Sequence, residues 1–130
     1  MSLLLPGLRA FAYCAAVDMR KGFEGLWALA TQQLGRDVLS GDLFVFVGRS
    51  RRRAKVLFFD GTGLCLYHKR LEQGRFACLW QCPSARELPL SATELALFLE
   101  GCALVGSRPL SPPPLARSAL RASPRPRNRT

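Results

Sequence analysis

Residues 42–76, DLFVFVGRSRRRAKVLFFDGTGLCLYHKRLEQGRF, decide the fold of this chain. Three runs within this stretch, at 43–47, 56–59 and 64–71, are rich in β-branched, aromatic and aliphatic side chains, which favour strands. Glycine-containing segments separate the runs and are typical of tight turns. The stretch therefore predicts three consecutive antiparallel strands. The first of them is apolar on both faces, which indicates a central position in the sheet.

The segment before this meander predicts a further strand and a helix. Residues 8–17 have the pattern of a short strand, and Asp18 is typical of a helix N-cap. Residues 19–34 then predict an amphipathic helix that ends at Gly35. Apolar side chains recur there at helical spacing, in the order Met19, Phe23, Leu26, Trp27, Ala30 and Leu34.

The segment after the meander completes the predicted fold. Residues 75–80 continue as a fourth strand, and residues 83–89 as a loop. Ser91 followed by Glu94 forms a capping box, which predicts the start of a second helix with the apolar stripe Leu95, Phe98, Leu99 and Cys102. The sum is an α+β fold, a small antiparallel β-meander of about four to five strands with two helices packed on it, both expected on one face.

Positive charge is unevenly distributed along the chain. Nineteen Lys and Arg oppose nine Asp and Glu, and residues 107–130 hold six Arg and no acid. This last segment is rich in Arg, Pro and Ser and lacks the apolar residues of a core. We therefore predict a single domain over 1–106 and a disordered Arg/Pro-rich tail over 107–130. The domain itself stays basic, which favours a polyanionic partner.

Cysteine usage and hydropathy favour a cytoplasmic protein. The five Cys form no C-x-x-C pair, no secretory signal precedes them, and no apolar run reaches the ~20 residues that cross a bilayer. We expect a reducing compartment and no membrane partner. A metal site built from Cys78, Cys82 and His68 would fit no common zinc spacing, so no metal or cofactor is expected.

The turn after the first strand of the meander carries a dense block of cations. Five of the seven positions 49–55 are basic, namely Arg49, Arg51, Arg52, Arg53 and Lys55. In a meander the end of the third strand reaches the same end of the sheet, and it brings Lys69, Arg70 and Arg75. Guanidinium groups suit phosphate oxygens, so these residues are candidate DNA contacts. The charge fits equally a solvated turn or a docking site for an acidic protein.

Two further cations lie where a helix macrodipole prefers acids. Arg20 and Lys21 fall in the first turn of the predicted 19–34 helix. They are either solvated, or they form with the helix N-terminus a phosphate-sized anion site. Both belong to the set of candidate DNA contacts.

Catalytic patterns are sparse in this sequence. It contains no phosphate-binding glycine loop and no G-x-S-x-G motif. Asp18, Asp42 and Asp60 could converge on Mg²⁺ as in a nuclease, but their spacing does not require it. His68, the only histidine, is more typical of a packed or surface strand residue than of a catalyst. We expect no enzymatic activity.

Four separated blocks, in order, resemble one protein family. They are DMRKGFEGL at 18–26, GDLFVF at 41–46, KVLFFDGTGLCL at 55–66 and KRLEQGRF at 69–76. The family is that of the TnpB-type accessory proteins, encoded by the second reading frame of the sixty-sixth-type insertion sequences. LALFLEG at 95–101 is similar to its closing helix.

This resemblance implies a role in DNA transposition beside a separate DDE-type transposase of the same element, and it implies no catalysis. Two departures from the family are visible. Arg51-Arg52 stands where relatives usually have Gly-Asp, and the sequence after Gly101 leads into the Arg/Pro segment instead of an acidic-aromatic pair and a Trp-rich end. The second departure suggests a diverged or frameshifted terminus.

Charge and resemblance together predict a non-catalytic accessory factor of transposition. Its expected partners are DNA, at the element ends or the target, and the transposase and other proteins of the same element. DNA would be bound through the basic hairpin. The alternative is an adapter that docks the transposase without contacting DNA.

Overall fold

A five-stranded sheet forms the centre of the computed structural model, which describes residues 8–80 and 86–101. Its strands are β1 (Ala10–Ala16), β2 (Leu43–Val47), β3 (Arg53–Phe59), β4 (Leu64–Arg70) and β5 (Glu87–Leu90), and their order across the sheet is β4-β3-β2-β1-β5. Helix α1 is Phe23–Ala28, extended by a π-helical turn at Leu29–Gln33, and helix α2 is Ala92–Leu99. A 3₁₀ turn, Val38–Ser40, precedes β2. The predicted α+β class is confirmed.

The predicted meander is confirmed over β2, β3 and β4, which pair antiparallel. β2 has the predicted bounds, lies in the middle of the sheet and is buried at all five positions. β3 begins at Arg53, before the predicted start at residue 56, because its ladder with β2 extends through Ala54 and Lys55. Part of the basic block therefore belongs to a strand.

β1 and β5 make the sheet mixed. β1 lies parallel to β2 and antiparallel to β5. The predicted strand at 75–80 is wrong: these residues form no ladder, although Phe76 is fully buried and Ala77 and Leu79 are nearly so. The fifth strand lies instead at the end of the predicted 83–89 loop. Pro89 fits there because an edge strand leaves half of its N–H groups unpaired.

The two helices lie on opposite faces of the sheet, so the expectation of a single helical face is wrong. Helix α1 packs on the face that carries Phe44 and Phe46, which we call the α1 face. Helix α2 packs on the face that carries Val45 and Val56, the α2 face, where the 75–80 loop adds Phe76. The physical reason is β2 itself: a central strand that is apolar on both sides needs cover on both.

Helix α1 begins later than predicted. Its N-cap is Gly22, not Asp18. Asp18 instead closes a turn, in which its carboxylate accepts from the N–H of Arg20 at 2.9 Å and its carbonyl from the N–H of Lys21 at 3.0 Å. The predicted end is confirmed, since Gly35 follows the last helical turn with a φ of +67°, in the left-handed region that favours glycine.

Helix α2 has the predicted capping box. The Ser91 hydroxyl accepts from the Glu94 N–H, the Glu94 carboxylate accepts from the Ser91 N–H, and Leu95, Phe98 and Leu99 are buried. Cys102 of the predicted stripe and the predicted tail over 107–130 lie outside the described residues. Within the described ranges no helix has the length and apolar character needed to cross a bilayer.

Candidate nucleic-acid interface

One end of the sheet collects the basic residues. At this end, which we call the basic end, β1, β2 and β4 finish and β3 begins. The β2–β3 turn is closed by main-chain bonds from the Gly48 N–H to the Arg53 carbonyl at 3.1 Å and from the Arg51 N–H to the Gly48 carbonyl at 2.9 Å. Within this turn Arg51 has a φ of +61°, and it is the one described non-glycine residue with a positive φ.

The 71–80 segment is bonded to this turn. The Leu71 N–H donates to the Arg52 carbonyl at 2.8 Å, and the Phe76 N–H donates to the Arg51 carbonyl at 2.7 Å. The Arg51 guanidinium in turn donates a longer hydrogen bond, of 3.4 Å, to the Phe76 carbonyl. The loop that was predicted as a strand therefore forms a wall beside the turn and brings Arg75 to it.

A groove of about 440 Å³ lies between the turn and this wall. We call it the arginine groove. Its lining residues are Arg49, Ser50, Arg51, Arg75, Cys78 and Trp80. Sequence reasoning placed the three arginines near one another but missed Trp80 and Cys78, because residues 75–80 were interpreted as a strand of the sheet.

Five arginines at the basic end make no ion pair with any residue that the structure describes. Across residues 8–80 and 86–101, the ion pairs are Arg9–Asp42, Arg20–Asp18, Arg36–Glu87 and Arg70–Glu72. None of them includes the five arginines of the turn and its wall, namely Arg49, Arg51, Arg52, Arg53 and Arg75. Arg53 also lies directly opposite Arg70 across the β3–β4 ladder. Like charges in that position are destabilising, so this end of the sheet favours an anionic ligand.

Two predicted DNA contacts have structural partners instead. Lys55 is only 7% exposed, and its Nζ donates to the Lys21 carbonyl at 2.8 Å on the α1 face. The Nζ of Lys69 donates to the Leu99 carbonyl at 2.7 Å on the α2 face. Leu99 is the last residue of α2, where a cation offsets the negative end of the helix dipole. One lysine therefore anchors each layer to the sheet. The sequence held a signal only for Lys55, which lies between two apolar strand residues, whereas Lys69 has polar neighbours.

Arg20 and Lys21 lie before α1 and not in its first turn, so the expected conflict with the helix dipole does not arise. Both are exposed at the basic end. The Arg20 guanidinium bonds to the Asp18 carboxylate, and this interaction holds the pKa of Asp18 down at about 2.

The three carboxylates considered for a nuclease site do not converge, because one of them lies at the opposite end of the sheet from the other two. Asp18 follows β1 at the basic end, whereas Asp42 precedes β2 and Asp60 follows β3 at the opposite end. Asp60 accepts from the N–H groups of Thr62 and Gly63, which hold its pKa at about 2. Within the described ranges no three His, Cys, Asp or Glu side chains lie close enough to hold a metal ion.

His68 reports on the charge at the basic end. It lies opposite Lys55 in the β3–β4 ladder, and the alternation of the strand places it on one face with Arg70, as predicted. Partial burial lowers the pKa of His68, and the positive charges of Lys55 and Arg53 lower it further.

Comparison with known proteins gives one family. The family described as IS66 Orf2 like protein matches residues 8–108. The uncharacterized protein y4hO of Sinorhizobium fredii (strain NBRC 101917 / NGR234) is 37% identical over 94 residues, which cover 72% of this chain and 80% of that protein. The uncharacterized protein y4jC of the same strain is 35% identical over 97 residues, covering 73% and 80%. No solved structure gives a significant match.

The left-handed backbone of Arg51 predicts an unusual response to glycine. That conformation costs a residue with a side chain about 1–2 kcal/mol, and glycine avoids this cost. We expect Arg51→Gly to be at least about 1 kcal/mol more stable to urea than Arg52→Gly, the matched control without a positive φ. Both variants add the same chain entropy to the unfolded state, so the difference isolates the strain. Equal midpoints for the two variants would show that Arg51 is unstrained.

Proposed function

Because the chain belongs to the IS66 Orf2-like family, we propose that it supports transposition of an insertion sequence by binding DNA through the basic end of its sheet. Members of this family have an accessory role in transposition, and this chain shares that role. Two points are proposed beyond this role. The chain contacts DNA directly, and it acts beside a separate DDE-type transposase that carries out the strand chemistry.

The five arginines without an ion pair are the observation that supports DNA binding. Of the five other arginines in the described ranges, four contact a carboxylate, among them Arg9 and Arg36. The fifth, Arg86, donates to the carbonyl of Gln33. Leaving five guanidiniums together without a carboxylate raises the electrostatic free energy of the free protein. Phosphate oxygens lower it, because each guanidinium can donate two parallel hydrogen bonds to them.

Such contacts fix the position of a protein on DNA without reading its sequence. The proposed contact set is narrower than the one predicted from the sequence, because Lys55 and Lys69 are engaged within the fold and Arg70 pairs with Glu72 at 3.2 Å. Arg49 and Arg75 are exposed and make no ion pair among the described residues. They are the best positioned of the set to meet a phosphate backbone.

A salt titration tests the contact. Each phosphate contact that is lost flattens the slope of log K against log salt concentration by about 0.9 for duplex DNA. We expect the Arg49→Gln, Arg75→Gln double variant to bind a duplex from the element end more weakly, with a slope shallower by about 1.8. Fluorescence anisotropy over a range of salt concentrations measures both quantities.

Arg86→Gln is the matched control for this titration, since Arg86 is exposed, makes no ion pair among the described residues, and precedes the edge strand β5, three strands away from β3 across the sheet. Its slope should equal that of the unmodified chain. An unchanged slope in the double variant would place the DNA contact elsewhere.

His68 offers a second measurement at the same end. Phosphate oxygens beside Arg53 would offset part of the positive charge that lowers the pKa of His68, so its pKa should rise when DNA is bound. Because His68 is the only histidine, its imidazole proton signals can be followed by NMR as the pH is changed. Arg53→Gln in the free protein should raise the pKa in the same direction. If saturating DNA leaves the pKa of His68 unchanged, Arg53 is not part of the DNA interface.

A second candidate function is docking of the transposase. An apolar cavity of about 260 Å³ lies between α1 and β4, lined by Phe23, Glu24, Trp27 and Leu64, and Phe23 is 45% exposed. Large exposed apolar side chains beside a cavity are typical of protein interaction sites. In this alternative the chain is an adapter that makes no DNA contact.

Phe23→Ser is expected to weaken capture of the element's transposase if the cavity is its docking site. Leu39→Ser is the matched control, because Leu39 is 50% exposed but does not line the cavity. Binding assays with the purified transposase, in the absence of DNA, compare the two variants. Equal capture by both would exclude the cavity as the docking site.

A further inference from the structure

The arginine groove combines two features that a phosphate site alone would not need. Arg49, Arg51 and Arg75 supply positive charge, and none of the described residues that line the groove is acidic. Trp80, half-buried, adds the largest aromatic side chain to the same lining. The volume of about 440 Å³ falls in the range of sites that hold a small organic molecule.

We propose that the arginine groove holds an unpaired nucleotide of single-stranded DNA, with its phosphates on Arg49 and Arg75 and its base against the indole of Trp80. This inference rests on the proposed function, since it specifies the form of DNA that the basic end takes. In a duplex the flat faces of the bases are stacked on one another, and only their edges and the backbone are open to a protein. An unpaired base offers its face to an aromatic ring, and stacking of this kind accepts any base.

The wall of the groove is held in place by its own burial. Phe76, Ala77 and Leu79 are buried on the α2 face, and the residues between and beside them, Arg75, Cys78 and Trp80, line the groove. The bond of 2.7 Å from the Phe76 N–H to the Arg51 carbonyl fixes this wall against the turn. The cations and the indole are therefore positioned before a ligand arrives, which lowers the entropic cost of binding.

The chain has two tryptophans, and each can be made the sole reporter. In Trp27→Phe the remaining indole is Trp80, and we expect saturable quenching of its fluorescence by oligothymidylate. An abasic oligonucleotide of equal length carries the same phosphates without bases, and it should bind at least about fivefold more weakly. In Trp80→Phe the remaining indole is Trp27, outside the groove, and its emission should stay constant.

Trp80→Ala supplies the test of affinity. We expect it to bind oligothymidylate no better than the abasic strand, a loss of affinity at least about fivefold greater than its loss for duplex DNA. The affinity for thymidine monophosphate is measured in the same way. Binding of the free nucleotide as tight as that of the strand would show that the groove takes a mononucleotide and that single-stranded DNA is not its ligand.

Three results would overturn the proposed base contact, and they distinguish its failure from a failure of DNA binding as a whole. Equal affinity for oligothymidylate and the abasic strand, with constant Trp80 emission, would exclude the base contact and leave DNA binding intact. Binding of no DNA of any form would overturn the proposed function together with this inference. Should Trp80→Ala fail to fold, the unmodified chain still decides the matter: oligothymidylate must protect the Cys78 thiol from alkylation more than the abasic strand does, and equal protection overturns the base contact.

Discussion

The burial of β2 on both faces is the constraint on which the rest of this structure depends. A strand whose five side chains are all buried needs an apolar layer above and below it. Helix α1 supplies one layer, and helix α2 with the 75–80 loop supplies the other. Placing the loop on the α2 face carries it past the β2–β3 turn, and the arginine groove is the space between them. The candidate site is thus a by-product of how the central strand is covered.

The parts of the fold that were predictable are those determined by neighbouring residues. The bounds of β2, the capping box at Ser91 and Glu94, and the end of the first helix at Gly35 each follow from a short local pattern. The 75–80 strand was wrong because its alternating apolar residues signal burial, whereas a strand also needs a partner with free N–H and C=O groups. Those residues enter the core without such a partner.

The candidate site was predictable in its charge but not in its detail. Convergence of the turn with Arg75 follows from a meander, whereas the engagement of Lys55 and Lys69 depends on carbonyls of Lys21 and Leu99, 34 and 30 residues away. No local pattern gives such partners. Trp80 joins the groove only because its segment is a loop. The family membership adds an accessory role in transposition, and the chemistry of the basic end gives that role a physical form.

The separation of charge along the sheet has a consequence for the approach to DNA. Among the described residues, five arginines without an ion pair collect at the basic end, whereas the opposite end holds Asp60 and an Asp42 that is paired with Arg9. The described domain therefore carries a permanent electric dipole roughly along its strands. In the field of a polyanion such a dipole rotates the molecule before any contact forms, so a larger share of encounters begins with the correct end forward. Orientation of this kind shortens the search for a partner without adding a single contact to the final complex.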